Sequence, residues 1–205
     1  MTEIVFQIII LIMSAVVHEV AHGYAAFRLG DSTAKNMGRL TLNPLKHLDP
    51  FGSVLLPALL ALSNSGFIFG WAKPVPFNPY NLRSAKWGEA LVAIAGPVSN
   101  ILIALIFGLT LRFGLGYGFL SGPAADITAM IVFINLLLAI FNLVPIPPLD
   151  GSKILFAFLP YHLKHIRNFL ERYSLILFLI FVFFLWDFVA PLVYVLFLLI
   201  TSYGL

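Results

Sequence analysis

An apolar run from Ile4 to Leu29 carries two histidines and a glutamate, and this combination restricts the chain more than any other feature. A run of about 20 apolar residues crosses a bilayer as a helix. Within it, residues 18–22 read His-Glu-Val-Ala-His, an HExxH motif. Because positions i and i+4 share a helix face, His18 and His22 can bind one Zn²⁺, with Glu19 beside the metal as a candidate general base. The pattern predicts a zinc site at membrane depth and water-consuming chemistry within the bilayer.

The composition indicates a multi-pass membrane protein. Of 205 residues, 60% are hydrophobic and only 10% are charged, whereas an average soluble domain is roughly 25% charged. There is no cysteine, so zinc must be held by His, Asp or Glu. The net charge of +3 is small, and the basic residues fall in short loops. They are typical of topology signals, and we expect the lipid bilayer as partner and no nucleic acid.

The apolar pattern predicts an all-α bundle of about four to six transmembrane or re-entrant helices with a short membrane-associated β element. Alternating polar and apolar residues at Arg39–Asn43 predict the strand. The stretch Ser174–Tyr203 is expected either to span once with a kink or to fold back. The apolar segments are Ile4–Leu29, Phe51–Trp71, Trp87–Phe113, Ala125–Val144 and Ser174–Tyr203. We expect residues 1–160 to form a catalytic membrane core and residues 161–205 to add an amphipathic interfacial helix and the last hydrophobic segment.

The basic loops predict the topology. They follow the first helix, precede the Trp87 helix and follow the Ala125 helix. If Phe51–Trp71 re-enters without crossing, all three lie on the cytoplasmic side, which the positive-inside rule favours. His18 then lies about 11 residues, or roughly 16 Å, from the cytoplasmic end of its helix.

A catalytic zinc takes three protein ligands and one open position, so the motif needs a third ligand. Most of the other acids lie in polar loops or at helix ends. Asp150 differs, because it follows a long apolar helix in a proline-rich stretch that cannot be regular helix. Irregular backbone at membrane depth is tolerated where it lines a cavity. His47 and Asp49 form an alternative pair, for which a solvated loop beside Lys46 is the favoured interpretation.

Several motifs resemble one family. They are the HExxH motif, Gly-Pro-x-x-Asn at residues 96–100, and Asn142 followed by Leu-Val-Pro-Ile-Pro-Pro-Leu-Asp150-Gly151. Together they resemble the site-2 protease family of intramembrane zinc metalloproteases. The segments at residues 39–44, 47–50 and 70–79 are similar to its compact bacterial and archaeal branch, which lacks PDZ and CBS domains. The resemblance covers about residues 4–158.

The resemblance implies that His18, His22 and Asp150 bind one Zn²⁺, with Glu19 as general base. It implies that Asn142 polarises the scissile carbonyl or holds its oxyanion. The expected activity is hydrolysis of peptide bonds within or near transmembrane segments of membrane proteins, which are the expected substrates. The expected location is the prokaryotic plasma membrane, with the site reached from the cytoplasmic side.

Two alternative functions remain open beside intramembrane proteolysis. The chain could be a non-proteolytic zinc-binding membrane protein or a transporter on the same scaffold, although a single ligand cluster without repeated halves argues against transport. An unwound substrate could dock by strand addition at Leu40–Asn43 or at Lys73–Pro79. Gly96 and Asn100 are interpreted mainly as packing residues.

Overall fold

A computed structural model describes residues 2–49 and 73–203 of the chain, together with Leu55 and Leu59. Apart from these two leucines, the predicted segment Phe51–Trp71 lies outside the described residues. Within the described part the regular structure is helical, which confirms the predicted all-α class.

Four helical stretches in the described residues are long and apolar enough to cross a membrane. They are α1 (Thr2–Arg28), α3 (Gly88–Gly116), α4 (Pro123–Leu143) and a final stretch, Ser174–Thr201. The final stretch consists of α7 (Ser174–Ile180), a π-helical turn (Phe181–Leu185) and α8 (Trp186–Thr201). It therefore continues as helix from end to end, which answers the open question of one span or two pieces.

Shorter elements connect these stretches. Helix α2 (Thr33–Asn36) follows α1, α5 (Asp150–Phe158) follows α4, and α6 (Lys164–Arg172) precedes α7. Single 3₁₀ turns in the described residues lie at Pro44–Lys46, Pro79–Asn81 and Tyr161–Leu163.

Helix α3 is the centre of the bundle and packs against α1, α4, α5 and α8. Small residues at the contacts let the backbones approach closely, which suits helix packing in lipid. Ala104 of α3 and Ala129 of α4 are almost fully buried, and Phe197 of α8 fills the space beside them. A Cβ at Gly108 would collide with Ile200.

The predicted β element at Arg39–Asn43 is wrong: this segment is irregular backbone. Its groups form local bonds instead of a ladder. The Arg39 amide donates to the carbonyl of Ala34 in α2, and the Asn43 amide donates to Thr41 Oγ1. Pro44 then begins a 3₁₀ turn, so the alternating pattern reflects the packing of Leu40 against α1 beside Gly23 and no strand pairing.

Hydrogen bonds across the loop between α1 and α3 bring its two ends to one face of the bundle. The Arg83 amide donates to the Leu29 carbonyl at 2.8 Å, and the Lys73 amide donates to the His47 carbonyl at 2.8 Å. The chain therefore leaves and rejoins the described structure, at residues 49 and 73, on the same face. We call this the basic face, where α1 ends, α3 begins and α4 ends. Of twelve lysines and arginines, only Arg112 lies toward the opposite face, where it bonds the Leu199 carbonyl.

Candidate metal centre

His18 and His22 lie one turn apart on α1 and point toward Asp150 at the start of α5. Each Nε2 atom is 3.1 Å from Asp150 Oδ2, and the two imidazole centroids are 4.6 Å apart. All three side chains are buried. In the described part of the chain, they form the one group of three or more potential ligands whose donor atoms lie within 4.8 Å of one another.

Asp150 reaches the site through the sharp connection between α4 and α5. Helix α4 ends at Leu143, and Asp150 is the first residue of α5 rather than part of the irregular stretch. A Cβ at Gly151 would collide with the carbonyl oxygens of Leu143 and Val144, so glycine lets α5 pack directly on the end of α4. A carboxylate is ionised at neutral pH unless burial raises its pKa strongly, and a bound cation would favour the ionised form, so Asp150 can serve as an anionic ligand.

The donor set and the space between the donors both fit a zinc ion. Two imidazole nitrogens and one carboxylate oxygen are zinc ligands, and tetrahedral bonds of about 2.1 Å place ligand atoms roughly 3.4 Å apart. The 3.1 Å separations approach that value. Space is left by Gly96 of α3, where an added Cβ would lie 2.5 Å from both Nε2 atoms. Gly96 thus lies against the site, where sequence reasoning gave it a packing role.

Each histidine uses its other ring nitrogen to bond α3. His18 Nδ1 lies 2.6 Å from Asn100 Oδ1, and His22 Nδ1 lies 2.7 Å from the Val92 carbonyl. These oxygens only accept, so Nδ1 carries the hydrogen in both rings and the Nε2 lone pairs face Asp150. Asn100 therefore contacts a candidate ligand directly, beyond the packing role expected of it.

Glu19 lies on α1, but its carboxylate bonds a loop rather than a neighbouring helix. Its Oε2 accepts a 2.7 Å hydrogen bond from the Val75 amide. We call the segment Lys73–Arg83 the strap. Near its beginning, Arg39 Nη2 donates to the carbonyls of Lys73 and Pro74 at 2.9 and 3.3 Å.

The far part of the strap is anchored by Asp31, which follows α1 and is completely buried. Its carboxylate accepts from the Asn78 amide at 2.9 Å, from Asn81 Nδ2 at 2.8 Å and from the Thr33 hydroxyl at 2.6 Å. Burial raises the pKa of Asp31, but these hydrogen bonds lower it by a larger amount, so the net shift of the pKa is downward. The strap is thus fixed on both sides of the Val75 contact.

The strap offers little to a substrate strand near Glu19. Pro74 and Pro76 have no amide hydrogen. The amide of Lys73 bonds the His47 carbonyl, and the amide of Val75 bonds Glu19. Every backbone donor from residue 73 to residue 76 is absent or engaged, which argues against strand addition along this part of the loop.

A cavity of about 210 Å³ opens onto the cluster. Asn142, predicted to polarise a carbonyl, lines it, and its Nδ2 donates to the Leu138 carbonyl of its own helix at 2.9 Å. The amide has a second hydrogen that this bond does not use. Lys153 Nζ lies 3.7 Å from Asp150 Oδ1. The lining residues are His18, Glu19, His22, Pro74, Val75, Phe77, Val92, Asn142, Pro148, Asp150 and Lys153.

His47 and Asp49 do not join a ligand cluster among the described residues. The favoured solvated-loop interpretation is wrong for His47, whose exposed fraction is 1%. Its Nε2 lies 2.8 Å from the Thr41 carbonyl, and its own carbonyl accepts from Lys73. His47 is buried because it joins the loop after α2 to the strap.

Sequence reasoning missed Ser14, Asn135, Asp31 and Arg39. Periodicity could have indicated two of them, because Ser14 precedes His18 by one turn and Asn135 precedes Asn142 by two. No local pattern marks the contacts that Asp31 and Arg39 make with the strap, because those partners lie 34 to 50 residues away.

The chain is similar to a protein-family model and to several named proteins. The model of peptidase family M50 matches residues 121–185. The Bacillus subtilis protein named "Putative zinc metalloprotease YwhC" is 41% identical over 180 residues, which cover 85% of this chain and 78% of that protein. A Mycolicibacterium smegmatis protein, Rip2, with the same description, is 36% identical over 146 residues, and the match spans about half of its length. No solved structure matches. With four helices of membrane length and this degree of similarity, the chain belongs to peptidase family M50, the site-2 proteases.

Proposed function

We propose that this protein is an intramembrane zinc metalloendopeptidase that hydrolyses peptide bonds within or near transmembrane segments of other membrane proteins. The observation that carries the proposal is the meeting of His18, His22 and Asp150 in one buried cavity with Glu19. The family and the names of the relatives support the same chemistry.

His18, His22 and Asp150 would hold the zinc ion. When bound, zinc supplies Lewis acidity that activates water and polarises a peptide carbonyl. With three protein ligands, such an ion would keep a fourth position for water or substrate, as catalytic zinc sites require.

Glu19 would act as general base and then as general acid. It lines the cavity, and the Val75 amide holds one carboxylate oxygen. The carboxylate accepts the proton of the attacking water and passes it to the departing amide nitrogen. The unused hydrogen of Asn142 can bond the developing oxyanion, a contact worth roughly 3 kcal/mol in other enzymes.

We place the basic face on the cytoplasmic side of a prokaryotic plasma membrane, because membrane proteins concentrate lysine and arginine there. The cavity lies between α1, the strap and the start of α5, so it would be reached from that side. We also propose that residues 1–160 form the catalytic core and that residues 161–205 add an interfacial helix and the last span.

The test is cleavage of a panel of single-span membrane proteins by purified protein in detergent, alongside Glu19→Gln, with bound zinc quantified in both. We expect about one zinc per chain in both proteins and cleavage by the wild type alone. Zinc binding with no cleavage of any panel member would favour the non-proteolytic zinc-binding alternative. Folded wild-type protein without zinc would reject the site.

A further inference from the structure

We infer that Ser14, Asn100 and Asn135 form a hydrogen-bonded relay that sets the tautomer and ring orientation of His18 for metal binding. The inference rests on the proposed zinc site. None of the three residues is a ligand, and Asn135 does not bond His18, so these are positioning residues that act through one another.

The relay has a single consistent direction. His18 Nδ1 donates to Asn100 Oδ1 at 2.6 Å, and Asn100 Nδ2 donates to Asn135 Oδ1 at 2.8 Å. Asn135 Nδ2 then donates to Ser14 Oγ at 2.9 Å. Ser14 lies one turn before His18, so the relay begins and ends on α1 after passing through α3 and α4.

The side-chain amides of Asn100 and Asn135 have no unused hydrogen-bond donor. Asn100 Nδ2 also donates to the Ser14 carbonyl at 3.3 Å, and Asn135 Nδ2 also donates to the Ile131 carbonyl at 2.9 Å. Each amide therefore uses its oxygen and both hydrogens. Both residues have an exposed fraction of 0%, so water cannot replace a lost partner.

This saturation determines how Asn100 faces His18. If the Asn100 amide turned over, its NH₂ group would face the ring and its oxygen would oppose Asn135 Oδ1. The second contact is repulsive, so Asn135 holds the Asn100 oxygen toward Nδ1. An acceptor at Nδ1 keeps the hydrogen there and leaves Nε2 free to bind metal, the role that outer partners have in metal sites.

His22 provides an internal comparison. Its Nδ1 faces the Val92 backbone carbonyl, which accepts in every side-chain variant. A change at Asn135 should therefore alter His18 and spare His22.

The experiment measures two quantities in Asn135→Leu: zinc affinity by competition with a chelator, and the tautomers of His18 and His22 by ¹⁵N NMR of the zinc-free protein. We expect zinc affinity to fall by up to about 10- to 100-fold, the usual effect of losing a direct partner of a metal ligand, because Asn100 is then free to turn away from Nδ1. We also expect the Nδ1-protonated fraction of His18 to fall while that of His22 stays constant.

Ser14→Ala keeps the Asn100–His18 bond and removes only the end of the relay, so a smaller loss in the same direction is expected. It also serves if Asn135→Leu does not fold. Thr201→Val is the control, because it removes a buried hydroxyl on α8 that donates to its own helix. Its zinc affinity should match the wild type.

Wild-type zinc affinity and unchanged His18 tautomers in folded Asn135→Leu would overturn the relay. If that variant does not fold, the same result in Ser14→Ala would overturn it. A wild-type protein that binds no zinc would reject the proposed function, whereas the tautomer measurement in zinc-free protein would still decide the relay. Zinc binding with no cleavage of any panel member would favour the non-proteolytic alternative and leave both tests of the relay intact.

Discussion

His18 and Glu19 are neighbours in the chain, yet two different kinds of structure hold them. His18 bonds the buried Asn100 amide of α3, which Asn135 of α4 and, through it, Ser14 of α1 orient. Glu19 bonds the backbone of a proline-rich loop at the basic face. The candidate ligand is therefore positioned by the helix bundle, whereas the candidate base depends on how the strap is seated. This difference predicts that some changes will remove metal and others will spare metal but slow cleavage.

The largest effect should come from Gly96→Ala in α3, one of the helices that position the candidate ligands. The new Cβ would lie 2.5 Å from the Nε2 atoms of His18 and His22, so it would collide with both candidate ligand atoms. We expect bound zinc and cleavage to be lost. Gly116→Ala is the matched control on the same helix, because its Cβ would meet nothing within 4 Å. Full zinc occupancy in folded Gly96→Ala would show that the metal does not lie beside α3.

Val75→Pro should affect only the contact between the strap and Glu19. It removes the amide hydrogen that Glu19 accepts, and a bond to a charged group is worth about 1.5–3 kcal/mol, or roughly 10- to 150-fold in rate. We expect kcat to fall by this factor with zinc content unchanged. Val75→Ala keeps the amide and is the control for the lost side chain. Equal kcat values in the two variants would show that the amide does not position the base.

Asp31→Asn tests whether Asp31 anchors the far part of the strap, and the quantity measured is thermal stability. The change leaves one acceptor oxygen and removes the charge, so we expect a loss of about 1–2 kcal/mol, or roughly 2–8 °C in thermal midpoint. The lowered pKa of Asp31 sets the pH dependence. The stabilisation is present above about pH 4, the ordinary pKa, and is lost as pH falls through the folded-state pKa. A difference in midpoint that stayed constant down to about pH 2 would contradict the charged anchor.

Tyr203→Phe should have the smallest effect. The Tyr203 hydroxyl donates to exposed Asp126 at 2.9 Å. This contact lies on the face opposite the basic face, far from both His18 and Glu19. An exposed polar contact contributes about 0–1 kcal/mol. We expect zinc affinity and kcat to match the wild type, and a change in either would show that the opposite face is coupled to the site.

The sequence was most informative where contacts follow helical periodicity. HExxH placed His18 and His22 on one face of a helix without reference to the rest of the chain, and the apolar runs located the long helices to within a few residues. It was misleading at Arg39–Asn43, because alternating polarity also occurs where one leucine packs on a helix and local turns satisfy the backbone.

By itself, the sequence determined the membrane class, the long helices and the HExxH pair, because hydrophobicity and helical spacing are local properties. Asp150 became a candidate third ligand through its place in a proline-rich stretch and through the family resemblance. Only the tertiary structure decided that Asn135 orients Asn100, that Gly96 leaves room beside the histidines and that Val75 holds Glu19. Those contacts join residues 35 to 78 positions apart. Their existence depends on how helices and loops pack, and no local pattern encodes that packing.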